Sequence, residues 1–197
     1  FEEGKEYAIH VRRKDGPGGE EEDFLDENRL AEGHDYFDLA DYEISPNGHL
    51  CAYSVDDRGR RIYEIRFRDL HTGAELPDRI TKTSGGCAWA DDGTVFYTRQ
   101  DHTLRSYKVF RHILGTDPAL DVEVYHESDV TYSCEVYRSR TDGFVIIDTE
   151  SKTSSEHWLL PVSDPLGAFR VFLPREEAHE HSIHHHPGGF YILTNWN

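Results

Sequence analysis

Five histidines near the end of the chain are the residues that most clearly suggest a chemical function. They fall between positions 179 and 186 and are His179, His181, His184, His185 and His186. Imidazole nitrogens are good ligands of Zn, Ni and Cu. Alternation along a strand would place His184 and His186 on one face, close enough to share an ion. Because no acidic or cysteine ligand is fixed beside them, we interpret the cluster as strand and turn residues, and assign no metal and no cofactor.

A serine nucleophile is the second chemistry that the sequence can be searched for. The nearest candidate is Ser84, in Thr83-Ser84-Gly85-Gly86. It lacks the preceding glycine of a GxSxG nucleophile elbow and lies between two repeats instead of between a strand and a helix. Acyl transfer needs a nucleophile beside a histidine base and an oxyanion hole. We therefore assign no catalytic residue and expect this polypeptide alone to hydrolyse neither esters nor amides.

The charged residues are strongly unbalanced. The chain has 38 acidic and 21 basic side chains, which gives a formal net charge of −17 with histidine neutral. Nucleic-acid binding through a basic face needs a clustered surplus of Lys and Arg, so it is excluded as a function. The run Glu20–Asp23 is interpreted as the solvated start of a strand. The alternative is that the net charge attracts cationic peptides.

Two further sets of residues have competing interpretations. Glu32, His34 and Asp35 lie in an irregular stretch, LAEGHDYFDLAD, where we predict a capped turn. The alternative is that one of them contacts another domain. Trp89 and Trp158 occur at strand positions, so we interpret them as packing residues and not as a platform for sugars or bases.

The cysteines and the apolar runs bear on the cellular compartment. The three cysteines are far apart and form no CxxC pair, so we predict buried, reduced thiols in a cytoplasmic protein; they are Cys51, Cys87 and Cys134. No run approaches the ~18 apolar residues of a membrane span, so no membrane partner is predicted. The chain lacks methionine and begins Phe1-Glu2-Glu3-Gly4, and we interpret it as an excerpt of a longer protein.

Alternation with a period of two dominates the sequence. In the stretch 63–68, the side chains of Tyr63, Ile65 and Phe67 fall on one face, and charged side chains fall on the other. This pattern is typical of strands with one buried face. Turn signals such as Asn47-Gly48 and Asp92-Gly93 separate the strands and supply the positive φ that tight hairpins need. The sequence therefore predicts an all-β meander.

The hairpins recur at a longer period. Four similar segments begin at Tyr42, Cys87, Cys134 and Ser182, which are 45, 47 and 48 residues apart. Each of the first three is followed by two more strand-like runs. Four strands in about 45 residues is the period of a β-propeller blade. A single β-sandwich with similar hairpins is the alternative.

We therefore predict a partial β-propeller with three complete four-stranded blades and parts of two others. The predicted complete blades span about 42–80, 87–126 and 134–173. An incomplete blade precedes them at 1–35, and the start of a further blade follows at 182–197. Propellers close with about four to eight blades, so this arrangement leaves sheet edges uncovered. Self-association through those open edges is therefore expected.

Several stretches resemble the N-terminal propeller of the oligopeptidase B (protease II) group, in the prolyl oligopeptidase family of serine peptidases. In chain order they are YEISPNGHLCAYSVDDRGRRIYEIRFRDLHTGAELPD, SGGCAWADDGTVFYTRQD, YKVFRHILGT and SKTSSEHWLL. The resemblance covers essentially the whole chain. Short pieces such as SPNG are common to many propellers, whereas RFRDLHTG, YKVFRHILGT and TSSEHWLL in this order are specific.

The resemblance implies a seven-bladed propeller over a C-terminal α/β-hydrolase domain that carries a Ser-Asp-His triad and cleaves peptides after Arg or Lys. The propeller in that family is non-catalytic and restricts access to oligopeptides. The catalytic domain is absent from residues 1–197, so the predicted partners are oligopeptides with basic residues and that missing domain. The alternative function is a stand-alone propeller that binds a partner protein without chemistry, since propellers serve both purposes.

Overall fold

Antiparallel β-sheet is almost the whole of the regular secondary structure in the described part of the chain. The computed structural model describes residues 3–14 and 16–196, and in this part of the chain five sheets follow one another in sequence order. Three sheets have four strands each, and the first and last have two. The prediction of a partial propeller is confirmed. No helix in the described part of the chain is long and apolar enough to cross a bilayer.

The elements are numbered in chain order. The first sheet holds β1 (Ile9–Arg13) and β2 (Glu21–Asp26), and the short helix α1 (Glu27–Leu30) follows it. The second sheet holds β3 (Asp38–Ile44), β4 (Leu50–Asp56), β5 (Tyr63–Asp69) and β6 (Glu75–Thr83). The third holds β7 (Cys87–Trp89), β8 (Thr94–Gln100), β9 (Ser106–Ile113) and β10 (Val122–His126). The fourth holds β11 (Ser133–Arg138), β12 (Phe144–Glu150), β13 (Ser155–Pro161) and β14 (Arg170–Leu173), and the fifth holds β15 (His181–His186) and β16 (Gly189–Thr194).

The second sheet begins earlier than the sequence pattern suggests. Its first strand starts at Asp38, where Asp38 pairs with Asp56, and not at Tyr42, where the apolar repeat starts. In the added residues, Asp38-Leu39-Ala40-Asp41, the two apolar residues are adjacent, so no period-two alternation marks them as strand. Backbone pairing with the whole length of β4 is what extends the strand.

The central strands bury side chains on both faces. Residues 51–56 of β4 are all buried. Tyr53 packs against the first sheet, beside Leu25, whereas Ala52 faces the third sheet. The same division holds in β8, where Tyr97 faces the second sheet and Phe96 faces the fourth. The second and third sheets therefore each share one apolar core with the sheet before and another with the sheet after.

Polar side chains also join neighbouring sheets. Arg138 donates to the backbone carbonyls of Trp89 and Ala90, each at 3.0 Å, and so ties the fourth sheet to the third. Arg175 donates to Glu127 at 2.5 Å and to Glu156 at 3.1 Å. Both carboxylates are buried, so this arginine supplies the positive charge that burial of carboxylates requires.

The second and third sheets are joined by a buried histidine between two carboxylates. His112 of β9 lies 3.1 Å from Asp78 of β6 through Nε2 and 2.7 Å from Asp121 through Nδ1. Burial by itself would lower the pKa of His112, but the hydrogen bonds and charges of Asp121 and Asp78 outweigh burial and raise it. A protonated imidazole donates to both carboxylates at once, which a neutral imidazole cannot do.

Replacement of His112 tests whether its contacts with Asp78 and Asp121 stabilise the packing of the second sheet on the third. We expect His112→Gln to lower the free energy of unfolding by about 3 kcal/mol or more, because two buried carboxylates lose their cation. The stabilisation by His112 is fully present below its unfolded-state pKa, near 6.5, and is lost as pH rises through the higher folded-state pKa. Urea unfolding at several pH values measures both effects.

The matched control is His102→Gln, because His102 is exposed. It should change stability by less than about 0.5 kcal/mol. The assignment of His112 as a stabilising cation is contradicted if both substitutions change the free energy of unfolding equally little and neither changes its pH dependence.

Candidate functional site

The first strands of the three complete sheets form a continuous surface. Strand β7 contacts β3 on one side and β11 on the other, at the edge where the sheets converge. We call the surface formed by β3, β7 and β11 the inner wall. Because each sheet is a meander in chain order, its later strands lie progressively farther from this wall.

A recess of about 380 Å³ lies in the inner wall where β7 is short. The connector before β7 contains Gly85, whose φ is +104° and whose hypothetical Cβ would lie 2.9 Å from the Cβ of Ala40. Glycine therefore allows this connector to lie against β3 in a conformation that other residues rarely adopt. The close approach leaves the recess between β3 and β11.

Three carboxylates line this recess. Asp41 and Glu43 come from β3, and Glu135 comes from β11. Alternation along β3 places Asp41 and Glu43 on the same face of the strand. The neighbouring cation is Arg138, which is already bonded to Asp142 at 2.8 Å and to backbone carbonyls. The recess therefore has a surplus of negative charge.

Partial burial and the nearby charge of Asp41 favour the neutral form of Glu43. Burial first, and then the charge of Asp41, raise the pKa of Glu43 to about 7, with partial compensation by Arg138. Burial also raises the pKa of Asp41. Such groups ionise more readily when a cation approaches, because the cation stabilises the charged form. The recess is thus suited to a positively charged side chain.

The acidic surface continues across the fourth sheet. Asp148 of β12 lies directly opposite Glu135 in the strand pairing. Burial, followed by the charges of Glu150 and Glu135, raises the pKa of Asp148 to about 7. The buried Oδ1 of Asp148 lies 3.4 Å from Nε2 of His157. Sequence reasoning missed Asp148 and the three carboxylates of the inner wall, because single acidic residues on separate strands carry no motif.

The structure divides the histidine cluster of the sequence into two groups. His179 and His181 are buried at the start of β15, with ring centroids 4.7 Å apart. The remaining three lie toward the opposite end of the strand, where the His185 ring packs 4.8 Å from Phe144. At about 3.3 Å per residue, the ends of β15 are separated by ~16 Å. Within residues 3–14 and 16–196, no group of three His, Cys, Asp or Glu side chains is arranged to hold a metal ion.

A histidine that the sequence did not single out joins the first group. The ring of His157, on β13, lies 4.8 Å from that of His181. Burial, with a smaller effect from His181, lowers the pKa of His157 to about 4. Burial likewise lowers the pKa of His181. These imidazoles are therefore neutral packing residues between the fourth and fifth sheets at pH 7.

The other sequence candidates lie in a connector, a strand and a turn. Ser84 lies in the connector between β6 and β7, where its hydroxyl is hydrogen-bonded to Thr98. In the acidic run Glu20–Asp23, Glu21 pairs with Arg13 at 2.5 Å across the first sheet. Glu32, His34 and Asp35 are exposed in the turn after α1. The His34 ring lies 3.7 Å from Asp57 of the adjacent turn.

The aromatic and cysteine residues also belong to the packing. Trp89 is buried, and its indole N–H donates to the backbone carbonyl of Glu43 at 3.0 Å. Trp158 packs against Tyr125 at 5.5 Å between ring centroids. All three cysteines are free and buried, and they are Cys51, Cys87 and Cys134. Burial raises the pKa of Cys51 and of Cys134 to about 12, so these thiols are unreactive at neutral pH.

Three consecutive four-stranded meanders with their first strands side by side define a β-propeller domain. The family model of the prolyl oligopeptidase N-terminal beta-propeller domain matches residues 1–197. The chain belongs to the prolyl oligopeptidase family and represents its N-terminal propeller domain. The resemblance identified from the sequence is therefore confirmed.

Individual relatives agree with this membership. Dipeptidyl aminopeptidase BI of Pseudoxanthomonas mexicana is 41% identical over 212 residues, which cover 99% of this chain and 29% of the relative. Protease 2 of Moraxella lacunata is 29% identical over 203 residues, with the same coverage of 99% and 29%. Oligopeptidase B from Leishmania major superposes with a TM-score of 0.84 at 28% identity, over 95% of this chain and 27% of that structure. The chain thus spans less than a third of the length of these relatives.

The electrostatic coupling in the recess can be measured directly. We expect Asp41→Asn to lower the pKa of Glu43 from about 7 toward its ordinary value, because one of the two causes of the increase is the charge of Asp41. Carbon-detected NMR of the labelled Glu43 carboxyl during a pH titration gives this value. Asp117→Asn, in an exposed loop away from the recess, is the control and should leave the Glu43 pKa unchanged. Equal titration curves for wild type and Asp41→Asn would contradict the proposed coupling.

Proposed function

We propose that this chain is the gating propeller of a serine oligopeptidase that cleaves peptides after Arg or Lys. In this proposal, residues 1–197 are part of a seven-bladed propeller, with complete blades at about 42–80, 87–126 and 134–173. A C-terminal α/β-hydrolase domain with a Ser-Asp-His triad performs the chemistry, and the propeller admits peptides while it excludes folded proteins. The observation that carries the proposal is the inner wall with its three carboxylates.

A wall of this kind favours cationic peptides for an electrostatic reason. Carboxylates in a recess with low-dielectric walls concentrate the field and raise the local concentration of positively charged ligands. The net charge of −17 acts in the same direction. Relatives named protease 2 and oligopeptidase B also support a peptidase. Membership in a peptidase family favours this function over the stand-alone interaction module that the sequence left open.

A second candidate function differs in how the peptide is positioned. The relative with 41% identity is named a dipeptidyl aminopeptidase, which implies release of dipeptides from an amino terminus. An enzyme of that kind needs a free α-ammonium group on its substrate. The inner-wall carboxylates suit an ammonium group as well as a guanidinium group. The two candidates are therefore distinguished by whether cleavage requires a free amino terminus on the substrate.

Charge removal at the inner wall tests the proposed function in the protein at full length. We expect the triple variant Asp41→Asn, Glu43→Gln, Glu135→Gln to lower kcat/KM for an Arg-containing peptide by about 10-fold, with little effect on a matched neutral peptide. Added salt should reduce the wild-type preference for the basic peptide and leave the variant nearly unaffected, because salt screens exposed charges. The neutral peptide reports any general loss of activity.

Two controls sharpen this measurement. Glu20→Gln, Glu176→Gln, Glu177→Gln removes the same charge from exposed positions outside the inner wall and should leave the preference intact. Each peptide is also assayed with a free and with an acetylated amino terminus. Cleavage of both forms supports the endopeptidase, whereas cleavage of the free form alone supports dipeptide release. An unchanged preference in the inner-wall variant rejects the role of these carboxylates in either activity.

The proposal includes self-association of the 197-residue polypeptide through an open sheet edge. β16 is the outer strand of a two-stranded sheet, and its Tyr191 and Leu193 side chains are 68% and 72% exposed. An uncovered apolar edge strand is a template for pairing.

The predicted cytoplasmic location stays a prediction, and the three free cysteines are consistent with a reducing compartment.

Sedimentation equilibrium measures this association. We expect the apparent mass of the 197-residue polypeptide to increase with concentration, and Leu193→Lys to shift that increase to higher concentration, because a buried lysine opposes edge pairing. Leu166→Lys, at an exposed loop position, is the control. A constant monomer mass over the whole concentration range contradicts the proposal.

A further inference from the structure

Basic side chains gather at one groove of this strongly acidic chain. The turn between β4 and β5 and the end of β6 line a groove of about 410 Å³. We call it the basic groove, and its cations are Arg58, Arg60, Arg66 and Lys82. In a chain with a formal charge of −17, such a concentration of positive charge calls for an explanation.

The carboxylates of the groove do not neutralise these cations. Glu64 is hydrogen-bonded to Arg66 at 2.8 Å. Asp57 lies 3.5 Å from Arg58, whose side chain remains 84% exposed. Among the residues that the structure describes, neither Arg60 nor Lys82 has a carboxylate within ion-pair distance. The groove therefore carries a net positive charge that is open to solvent.

The turn that carries the arginines is rigidly held. The buried Asp56 carboxylate accepts hydrogen bonds from the backbone N–H groups of Arg58, Arg60 and Arg61, at 2.9, 2.6 and 2.7 Å. Gln100 of β8 donates to the Arg61 carbonyl at 2.5 Å. Asp56 is thus occupied by backbone donors, and the arginine side chains are presented outward from a fixed frame. Because the turn is already ordered, less conformational entropy is lost when a partner binds.

Two residues at the groove have an unfavourable backbone conformation. Arg61 has φ of 54° and Lys82 has φ of 61°, in the left-handed region that glycine and asparagine adopt more easily. Both positions carry a long cationic side chain instead. Leu104, Asp142 and Ala178 have the same conformation in turns outside the groove, so this feature shows only that the backbone at Arg61 and Lys82 is held in place by its surroundings.

The lining of the groove indicates the chemistry of a partner. Ile62 is 47% exposed between the cations, and the half-buried Tyr63 adds apolar surface. The cations come from two chain segments with this apolar surface between them, whereas a single phosphate gathers its donors around one point. Alternating acidic and apolar side chains of an extended polypeptide match such a lining.

We propose that the basic groove is a docking surface for an acidic segment of a partner polypeptide. Carboxylates of that segment pair with Arg58, Arg60 and Lys82, and an apolar side chain covers Ile62. The basic groove and the acidic recess have no lining residue in common. Its test does not depend on the outcome for the proposed function.

Fluorescence anisotropy on the protein at full length tests the interaction. The probe is a short fluorescein-labelled, N-acetylated peptide of Glu and Leu residues. We expect binding at low salt that weakens at high salt, and a loss of affinity of about 10-fold in Arg58→Gln, Arg60→Gln, Lys82→Gln. Charge reversal of the same three residues to Glu should abolish binding. Circular dichroism confirms that each variant is folded.

The control for the charge-reversal variant has the same change in charge at positions outside the basic groove. Arg140→Glu, Lys152→Glu, Arg170→Glu alters three exposed cations outside the groove and should retain the wild-type affinity. Inorganic phosphate at matched ionic strength should displace the peptide no better than chloride. Three results each overturn the proposal: no binding by wild type, equal losses in the groove and control variants, or specific displacement by phosphate.

Discussion

The central strands of this protein have two apolar faces, and the rest of the structure depends on covering both. In β8, Tyr97 packs toward the second sheet and Phe96 toward the fourth. A four-stranded sheet of this kind is unstable alone, because either uncovered face would expose large apolar side chains to water. Stacking of successive sheets covers both faces, and the propeller arrangement follows from that requirement.

Apolar packing alone does not fix how adjacent sheets are aligned, and buried charged groups supply that specificity. His112 lies between Asp78 and Asp121, so the second and third sheets meet where the imidazole reaches both carboxylates. Arg175 performs the equivalent task for Glu127 and Glu156. Loss of one partner from such a group leaves an uncompensated buried charge, which makes misaligned sheets costly.

The same stacking determines where charge accumulates. Convergence of the first strands places Asp41, Glu43 and Glu135 around one recess, although they come from different sheets. The basic groove lies on separate strands and carries the opposite charge. The net charge of −17 is therefore unevenly distributed, and a charged ligand would encounter different surfaces on different sides of the domain.

The sequence by itself determined the strands, their meander order and the family. Alternation with a period of two and a repeat of 45 to 48 residues are local properties, because each strand and each hairpin is encoded by adjacent residues. The four residues 38–41 that extend β3 escaped this reasoning, because their two apolar residues are adjacent, and pairing with β4 rather than apolar alternation makes them strand. The metal hypothesis for the histidines also depended on local spacing. Residues 181–186 are close in sequence, but β15 separates His181 from His186 along its length.

Only the tertiary structure decided which side chains meet. His157 joins His181, and Glu135 joins Asp41, across 24 and 94 positions of sequence, because the sheets bring distant strands together. The pKa of Glu43 likewise depends on burial, which the sequence does not specify residue by residue. Contacts between sheets are long-range and carry no local pattern. For this reason the sequence could identify the kind of domain, whereas the acidic recess and the basic groove became visible only in the folded chain.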